Sequence, residues 1–439
     1  MFCGFSNSCL QYPSTHNAIF CVIYTAMAPI MIMDSLPAHI LEVVKRSESV
    51  FVVNLEEVKT RIKLWKEELP LVRPFYAVKA NLDSMICQLL LQEGCGFDCA
   101  SKPEIERCLE LGASAADIIF ANPVKFCSHL QYAQNVEVAR VTADSVDELK
   151  KIAQYHKTAS VLLRIAVDDT GAVCRFSSKF GAFPSEWHSF FEAAEKYGIN
   201  LSGVSFHVGS GCSGPMAFYD AIASARDAFD LARSHGFEMK VLDLGGGFPG
   251  DENSPFTFTE IATAVRTGLS EFFGESVGLE ILAEPGRFFV ESSHHYIVTV
   301  TSGRNVLEEH LKDCKEIERT DIDTHMPTTG YEETTNVPEK AVFISDGVYG
   351  AFNNVVFDHA KLNACGFAGA VTQDQPFVRT KVFGPTCDSI DVVSPCMMLP
   401  SLSPGDRIVF SNMGAYTRSA GGNFNGFGHY SVVYTGNEL

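Results

Sequence analysis

Phe75-Tyr76-Ala77-Val78-Lys79 is apolar until its last position and ends on a charge. Seven further short, mainly apolar runs follow it: Gly96–Cys99, Ile118–Ala121, Val138–Thr142, Ser160–Ile165, Ser202–His207, Lys240–Leu244 and Leu279–Glu284. Between them lie longer stretches with helical spacing, such as Lys102–Leu111, Val146–Tyr155, Trp187–Tyr197, Ala217–His235 and Phe258–Phe273. Strands covered on both faces read as continuous apolar runs, and their alternation with helices marks βα units. Eight such runs over roughly 240 residues predict an α/β fold, a (β/α)8 barrel rather than an open sheet.

Outside that stretch the character changes. After Arg287 the runs Ile297–Thr301, Ala341–Ile344, Arg407–Phe410 and Ser431–Tyr434 are β-like, with Gly and Pro between them, and predict a C-terminal β-rich domain, a sandwich or small barrel. Leu307 to Lys340 is acidic and poor in aromatics, so residues 302–340 are expected to hold a mobile surface insertion. At the other end, Ala18 to Met33 is apolar. No Lys or Arg precedes Lys45, however, and Pro29 interrupts the run, which argues against a signal or anchor. Residues 1–34 read as a variable N-terminal extension.

The chain has 439 residues, 46% hydrophobic and 20% charged, which is globular material and long enough for two domains. Its net charge of -19 repels phosphate backbones and anionic lipid. Nucleic acid and membranes are therefore not expected partners, whereas a small cationic ligand fits. The 14 Cys are scattered without a C-x-x-C pair, which disfavours a zinc ribbon, a thioredoxin-like motif or a disulfide scaffold. Reduced thiols in a cytoplasmic enzyme are expected, with no metal.

Barrel enzymes work at the C-terminal ends of their strands. Lys79 ends the first run, Asp98 stands in the second and His207 ends the sixth. A strand-end lysine is by itself more often a surface residue; in a barrel mouth, partial burial would lower its pKa and make it a Schiff-base amine. Asp243-Leu244-Gly245-Gly246-Gly247-Phe248 closes the seventh run and Glu284-Pro285-Gly286-Arg287 the eighth. Loops at those places commonly bind phosphate, with glycines exposing backbone N–H groups and Arg287 adding a bidentate cation. A lysine, a phosphate cradle and a carboxylate for a ring nitrogen are together what pyridoxal phosphate requires.

Several segments, in order, carry a resemblance: Pro74 to Asn81, Phe97-Asp98-Cys99-Ala100-Ser101, Ser205 to Gly211, Gly245 to Gly250, Glu284-Pro285-Gly286-Arg287, Gly384-Pro385-Thr386-Cys387-Asp388 and Met413 to Thr417. From about Phe51 to Phe427 the chain resembles the eukaryotic ornithine decarboxylase family, fold-type-III pyridoxal-phosphate enzymes related to alanine racemase. The resemblance implies a barrel over residues 51–287 and a β-rich domain made of 35–50 with 288–439. It also implies a homodimer with shared active sites.

By the same resemblance, Lys79 would carry pyridoxal 5'-phosphate and Glu284 would pair with its ring nitrogen. His207 would stack on the ring, and Asp98 and Arg164 would support it. Ser210, Gly245, Gly246, Gly247, Gly286, Arg287 and Tyr416 would hold the phosphate. Cys387 of the other subunit would return a proton to the substrate carbon, and Asp388, with Asp358 and Phe357, would bind its side chain. Lys179 and Asp391 would bridge the dimer. The implied activity is decarboxylation of ornithine to putrescine; antizyme is an implied partner. Ala80 and Phe357 stand where the family often has Cys and Tyr. Two alternatives remain open: decarboxylation of lysine or another basic amino acid, and a non-catalytic regulator of the antizyme-inhibitor kind.

Overall fold

Each of the eight apolar runs becomes a strand in the computed structural model, which describes residues 36–212, 214–251, 254–274, 278–306, 338–371 and 375–436. The extension over residues 1–34 and most of the 302–340 insertion lie outside the described residues. After β1 (Ser49–Asn54) come β2 (Val72–Ala77), β3 (Gly96–Cys99), β4 (Ile118–Phe120), β5 (Arg140–Ala143), β6 (Ser160–Arg164), β7 (Asn200–Ser205), β8 (Val241–Asp243) and β9 (Glu280–Ala283). β2 to β9 are parallel and close in sequential order into the expected (β/α)8 barrel. Two strands stop two residues short of the end of their run. Val78–Ala80 forms a single 3-10 turn that lifts Lys79 out of β2, and His207 lies two residues past β7. The turn is fastened from below and from outside: Tyr76 donates to the Asn81 carbonyl at 2.8 Å, and the Tyr416 N–H donates to the Ala80 carbonyl at 2.9 Å.

Strand side chains alternate between two faces, so each barrel strand feeds two cores. Phe75, Ile119, Ala121, Leu162, Val241 and Leu282 form a separate buried cluster that plugs the lumen. The alternate positions, among them Tyr76, Phe97, Phe120, Val161, Leu163, Val204 and Leu242, join the large core under the helices. One such helix, Leu55–Glu68, starts at Asn54, whose side chain accepts from the Glu56 and Glu57 amides. It lays buried Trp65 among Phe248, Phe258, Phe288 and Phe289. Truncating Trp65 to Ala would cost about 3–5 kcal/mol. Phe288 and Phe289 lie in the short helix Arg287–Val290, so the same cluster anchors Arg287.

The second domain holds β10 (His294–Asn305), β11 (Lys340–Ile344), β12 (Asn363–Ala368), β13 (Phe377–Phe383), β14 (Val392–Pro400), β15 (Arg407–Ser411) and β16 (Ser431–Thr435). They form a sheet of order β12-β15-β10-β11-β13-β14, which β1 joins antiparallel to β10 and parallel to β16. The expected boundary at residue 50 therefore falls inside β1, whose Phe51 stacks on Tyr296 with ring centroids 4.1 Å apart. β10 also runs on to Asn305 and pairs with β11 from Lys340, so the rims of the 302–340 segment are strand rather than insertion. Among the described residues, no helix is long and apolar enough to cross a membrane.

Candidate active site

Barrel closure gathers the inward positions at the C-terminal strand ends into one polar layer above the apolar plug. Asp98, Thr142, Arg164, Ser205 and Asp243 come from β3, β5, β6, β7 and β8, and Glu284 directly follows β9. Asp98, Asp243 and Glu284 are all buried. Two cations face these three carboxyls. Lys79 Nζ pairs with Asp98 Oδ2, and the Arg164 guanidinium lies 5.3 Å over Phe180. Burial, reinforced by the Asp243 and Asp98 carboxylates, pushes the Glu284 pKa well up, so Glu284 keeps a proton in its contact with Asp243. Burial also raises Asp243, although its Oδ1 accepts from the Gly245 N–H at 2.9 Å. Four atoms in the layer have no hydrogen-bond partner: Asp98 Oδ1, Thr142 Oγ1, Ser205 Oγ and Asp243 Oδ2.

Lys79 corrects one expectation. Burial does act to lower its pKa, but the charges of Asp98, Tyr416 and Glu284 and the hydrogen bond to Asp98 outweigh it, and the pKa is raised. The side chain is 42% exposed at the barrel mouth. His207 goes the other way. Burial, then Arg164 and Lys79, drive its pKa well down, leaving a neutral ring. Its Nδ1 accepts from the Gly209 N–H at 3.0 Å, which places the ring proton on Nε2. The ring meets Phe176 edge-on at 4.8 Å and lies so close to Gly246 that a Cβ there would come 2.8 Å from Nε2.

The glycine rim stands beside this layer. Gly245 and Gly247 have φ of 62° and 105°, and a Cβ on Gly245 would come within 2.0 Å of the Phe206 carbonyl oxygen. Across the mouth, Gly286 leaves room for the Tyr416 hydroxyl, which a Cβ would meet at 3.3 Å. Tyr416 itself has φ of 55°, and its ring faces the Arg287 guanidinium at 5.2 Å. Arg287 Nη2 lies 3.4 Å from Ser210 Oγ and donates to Asp358 Oδ1 and Oδ2 at 2.7 and 2.5 Å. The structure thus brings together Lys79, Asp98, Arg164, His207, Ser210, Glu284, Gly286, Arg287 and Tyr416. It also places Asp358, expected to touch only a substrate, directly on Arg287.

A second set stands apart, on the loop between β13 and β14. Cys387 is an exposed free thiol whose N–H donates to Asn425 Oδ1 at 3.1 Å. Asp388 accepts from the Tyr349 hydroxyl at 2.6 Å, a bond that lowers its pKa. No hydrogen bond or ion pair among the described residues joins either to Lys79, Glu284 or Arg287. Asp391 is buried and fully engaged within its own chain, accepting from the Val348 and Thr386 amides and from Thr386 Oγ1 at 2.9, 3.0 and 2.7 Å. The expected Lys179–Asp391 bridge is therefore not made within the chain, where Lys179 instead lies 4.9 Å over Phe180. Phe357 and Ile390 are 72% and 66% exposed. Two partners went unread in the sequence. Glu291 binds Arg287 and was signalled only by its i,i+4 spacing, while no sequence signal marks Tyr349.

Comparison with known proteins agrees with this architecture. Residues 55–291 match the pyridoxal binding domain of pyridoxal-dependent decarboxylases, and residues 288–414 match their C-terminal sheet domain. The chain is 38% identical to ornithine decarboxylase of Mus musculus over 387 residues, 88% of this chain and 80% of that one. It is 39% identical to antizyme inhibitor 2 of Xenopus laevis over 389 residues, 88% of this chain and 81% of that one. The solved arginine decarboxylase of Paramecium bursaria Chlorella virus superposes with a TM-score of 0.79 at 32% identity, covering 90% of this chain and 98% of that one.

Proposed function

The chain belongs to the pyridoxal-dependent decarboxylases, and from that membership we propose that it converts L-ornithine to putrescine and CO2, the first step of polyamine biosynthesis. The observation that carries the reading is the 38% identity with a curated ornithine decarboxylase over 88% of this chain. The residues present fit pyridoxal 5'-phosphate. Asp98 Oδ1 and Asp243 Oδ2 lack hydrogen-bond donors beside Glu284, an environment that favours a cationic ring N–H. The glycine rim, Ser210 and Arg287 form a cradle that suits a phosphate dianion. Lys79 would hold the cofactor at Nζ, Glu284 its ring nitrogen, and Arg287, Ser210, Gly245, Gly246, Gly247, Gly286 and Tyr416 its phosphate.

When bound through the substrate amine, pyridoxal phosphate supplies an electron-poor ring that accepts the electron pair left as CO2 departs. The chain's own groups do the rest. Asp98 pairs with the Lys79 ammonium, and Glu284, which keeps a proton in the cofactor-free chain, could give it to the ring nitrogen and pair with the ring as a carboxylate. Neutral His207 presents an uncharged wall, so the positive charge stays on the ring side of the site. The thiol of Cys387 carries the proton that replaces the lost carboxylate, and Asp388 and Asp358 suit the distal ammonium. One proton is consumed for each CO2 released.

Among the described residues no hydrogen bond or ion pair joins Cys387 or Asp388 to Lys79, and Phe357 and Ile390, beside Asp358 and Asp388, are exposed. These features support a homodimer in which each site takes Cys387 and Asp388 from the opposite subunit, with Lys179 at that junction. The likeness to an antizyme inhibitor supports antizyme as a further partner. The unbridged cysteines suit a reducing cytoplasm. Decarboxylation of another basic amino acid is the second reading, favoured by the match to a viral arginine decarboxylase. A non-catalytic role is disfavoured because Lys79, Asp98 and Glu284 are assembled in place.

The deciding assay supplies purified protein with pyridoxal phosphate and measures CO2 from ornithine, lysine, arginine and diaminopimelate. Ornithine should be preferred. Lysine should be measurable, since one methylene gives only about 1–3 kcal/mol of discrimination, and arginine should be poor. A tenfold preference for lysine or arginine, about 1.4 kcal/mol, would replace the ornithine reading with the second one.

A further inference from the structure

We propose that Glu291 is a positioning residue for cofactor binding: it fixes the Arg287 guanidinium on one side so that the other side is presented to a phosphate group. The inference rests on the reading of Arg287 as the phosphate cation. The two ends of the guanidinium are used differently. Nη1 donates to Glu291 Oε1 at 2.6 Å, whereas Nη2 faces Ser210 at 3.4 Å and carries Asp358. Glu291 sits one helical turn after Arg287, is itself largely buried and belongs to the same short segment, which the Trp65 cluster anchors. Asp358 comes from a distant part of the chain, just after the helix Asn353–Phe357.

A second observation shows that the place is built for Glu291. A Cβ on Gly250 would come 2.7 Å from Glu291 Cβ, 2.8 Å from its Oε2 and 2.4 Å from the Arg287 carbonyl oxygen. Only a residue without a side chain lets this loop close over the pair. The Gly250 carbonyl is in turn held by buried Arg61 at 2.9 Å. One guanidinium between two carboxylates leaves the group with an excess negative charge. A phosphate arriving at Ser210 and Nη2 must displace a carboxylate, and Asp358 is the one in its path. Glu291 stays on Nη1 throughout. Without it, the guanidinium would be held only by Asp358, the carboxylate that the phosphate must displace.

The test uses the full-length, cofactor-free protein, with binding of pyridoxal 5'-phosphate and of pyridoxal, which lacks the phosphate, followed by fluorescence titration. Glu291→Ala should weaken pyridoxal phosphate on the order of tenfold, the low end of what losing a ligand's outer partner costs. Pyridoxal should be unaffected. Glu291→Gln keeps an acceptor oxygen for Nη1 and should bind pyridoxal phosphate as tightly as the parent or more so, and Gly250→Ala should reproduce Glu291→Ala. The proposal is overturned if Glu291→Ala binds pyridoxal phosphate like the parent, if both ligands weaken in parallel, or if Glu291→Gln is as poor as the alanine variant. A parent that binds the two ligands equally would instead disprove the phosphate role of Arg287, and this inference with it.

Discussion

Glu284→Gln should stabilise the cofactor-free protein while destroying its activity. Glu284 is buried beside Asp243 and Asp98, and its folded-state pKa is raised, first by burial and then by those two carboxylates. Below the ordinary carboxylate range both the folded and unfolded chains carry the proton, so Glu284 adds no pH dependence there. As pH rises above that range the unfolded chain releases the proton and the folded chain keeps it. Stability then falls by about 1.4 kcal/mol per pH unit until the raised pKa is reached. Glutamine has no such proton to lose, and its amide can replace the Glu284 proton in the contact with Asp243. Relative to the parent, Glu284→Gln should therefore gain about 1.4 kcal/mol or more between pH 5 and pH 7, roughly 3–6 °C in Tm for a domain of a few hundred residues. Thermal unfolding of both proteins, cofactor-free and at one protein concentration, measures the gap at each pH. CO2 release by the loaded variant should drop by about 10²-fold or more, the scale of losing a preorganised electrostatic partner. A parent that gains on the variant as pH rises, or parallel curves, would refute the account of a strained acidic floor.

Three further outcomes are expected. Mixing inactive Lys79→Ala and Cys387→Ala chains should restore about a quarter of parental activity, since half the exchanged dimers carry one intact site; no recovery after subunit exchange would rule out shared sites. Asp358→Asn should tighten binding of inorganic phosphate to the cofactor-free protein, because Arg287 loses a competing carboxylate, and should raise KM for ornithine; unchanged phosphate affinity in titration calorimetry would count against the exchange. Lys125→Met should cost about 1–3 kcal/mol in urea unfolding, because it takes from buried Glu148 one of its two cations, leaving Lys151 at 2.6 Å, and strips the Thr142 carbonyl of its donor, with little effect on kcat.

The barrel was legible because its strands are short, parallel and covered on both faces, so each announces itself as an apolar run such as Ile118–Phe120. β1 shows the limit. Ser49–Asn54 is equally apolar, yet its pairing partners are His294–Val298 and Ser431–Thr435, and no local pattern encodes a register over that distance. β12 to β14 carry Arg, Lys, Cys and Met at half-buried positions and show no clean alternation to read.

Much of the site was legible for a related reason: a polar residue that breaks an apolar run at a strand end, as Lys79, Asp98 and Glu284 do, is conspicuous. Its electrostatics were not. Taken singly, Lys79 at a barrel mouth reads as a lysine of lowered pKa, and Asp243 reads as an ordinary turn residue. Only closure sets Asp98, Asp243 and Glu284 around two cations, which raises the Lys79 pKa and keeps a proton on Glu284. The same holds at the rim, where Arg287 meets Glu291 from its own helical turn and Asp358 from across the chain. At the rim the folded chain tolerates an excess of buried negative charge, and at the floor it keeps a buried carboxyl protonated. Such violations of local consistency are concentrated where function requires them. Here each lies against a group that cofactor binding would engage, the ring nitrogen at Glu284 and the phosphate at Arg287. The binding energy of pyridoxal phosphate would thus relieve both of these buried clusters, and the cofactor should stabilise this chain beyond the sum of its direct contacts.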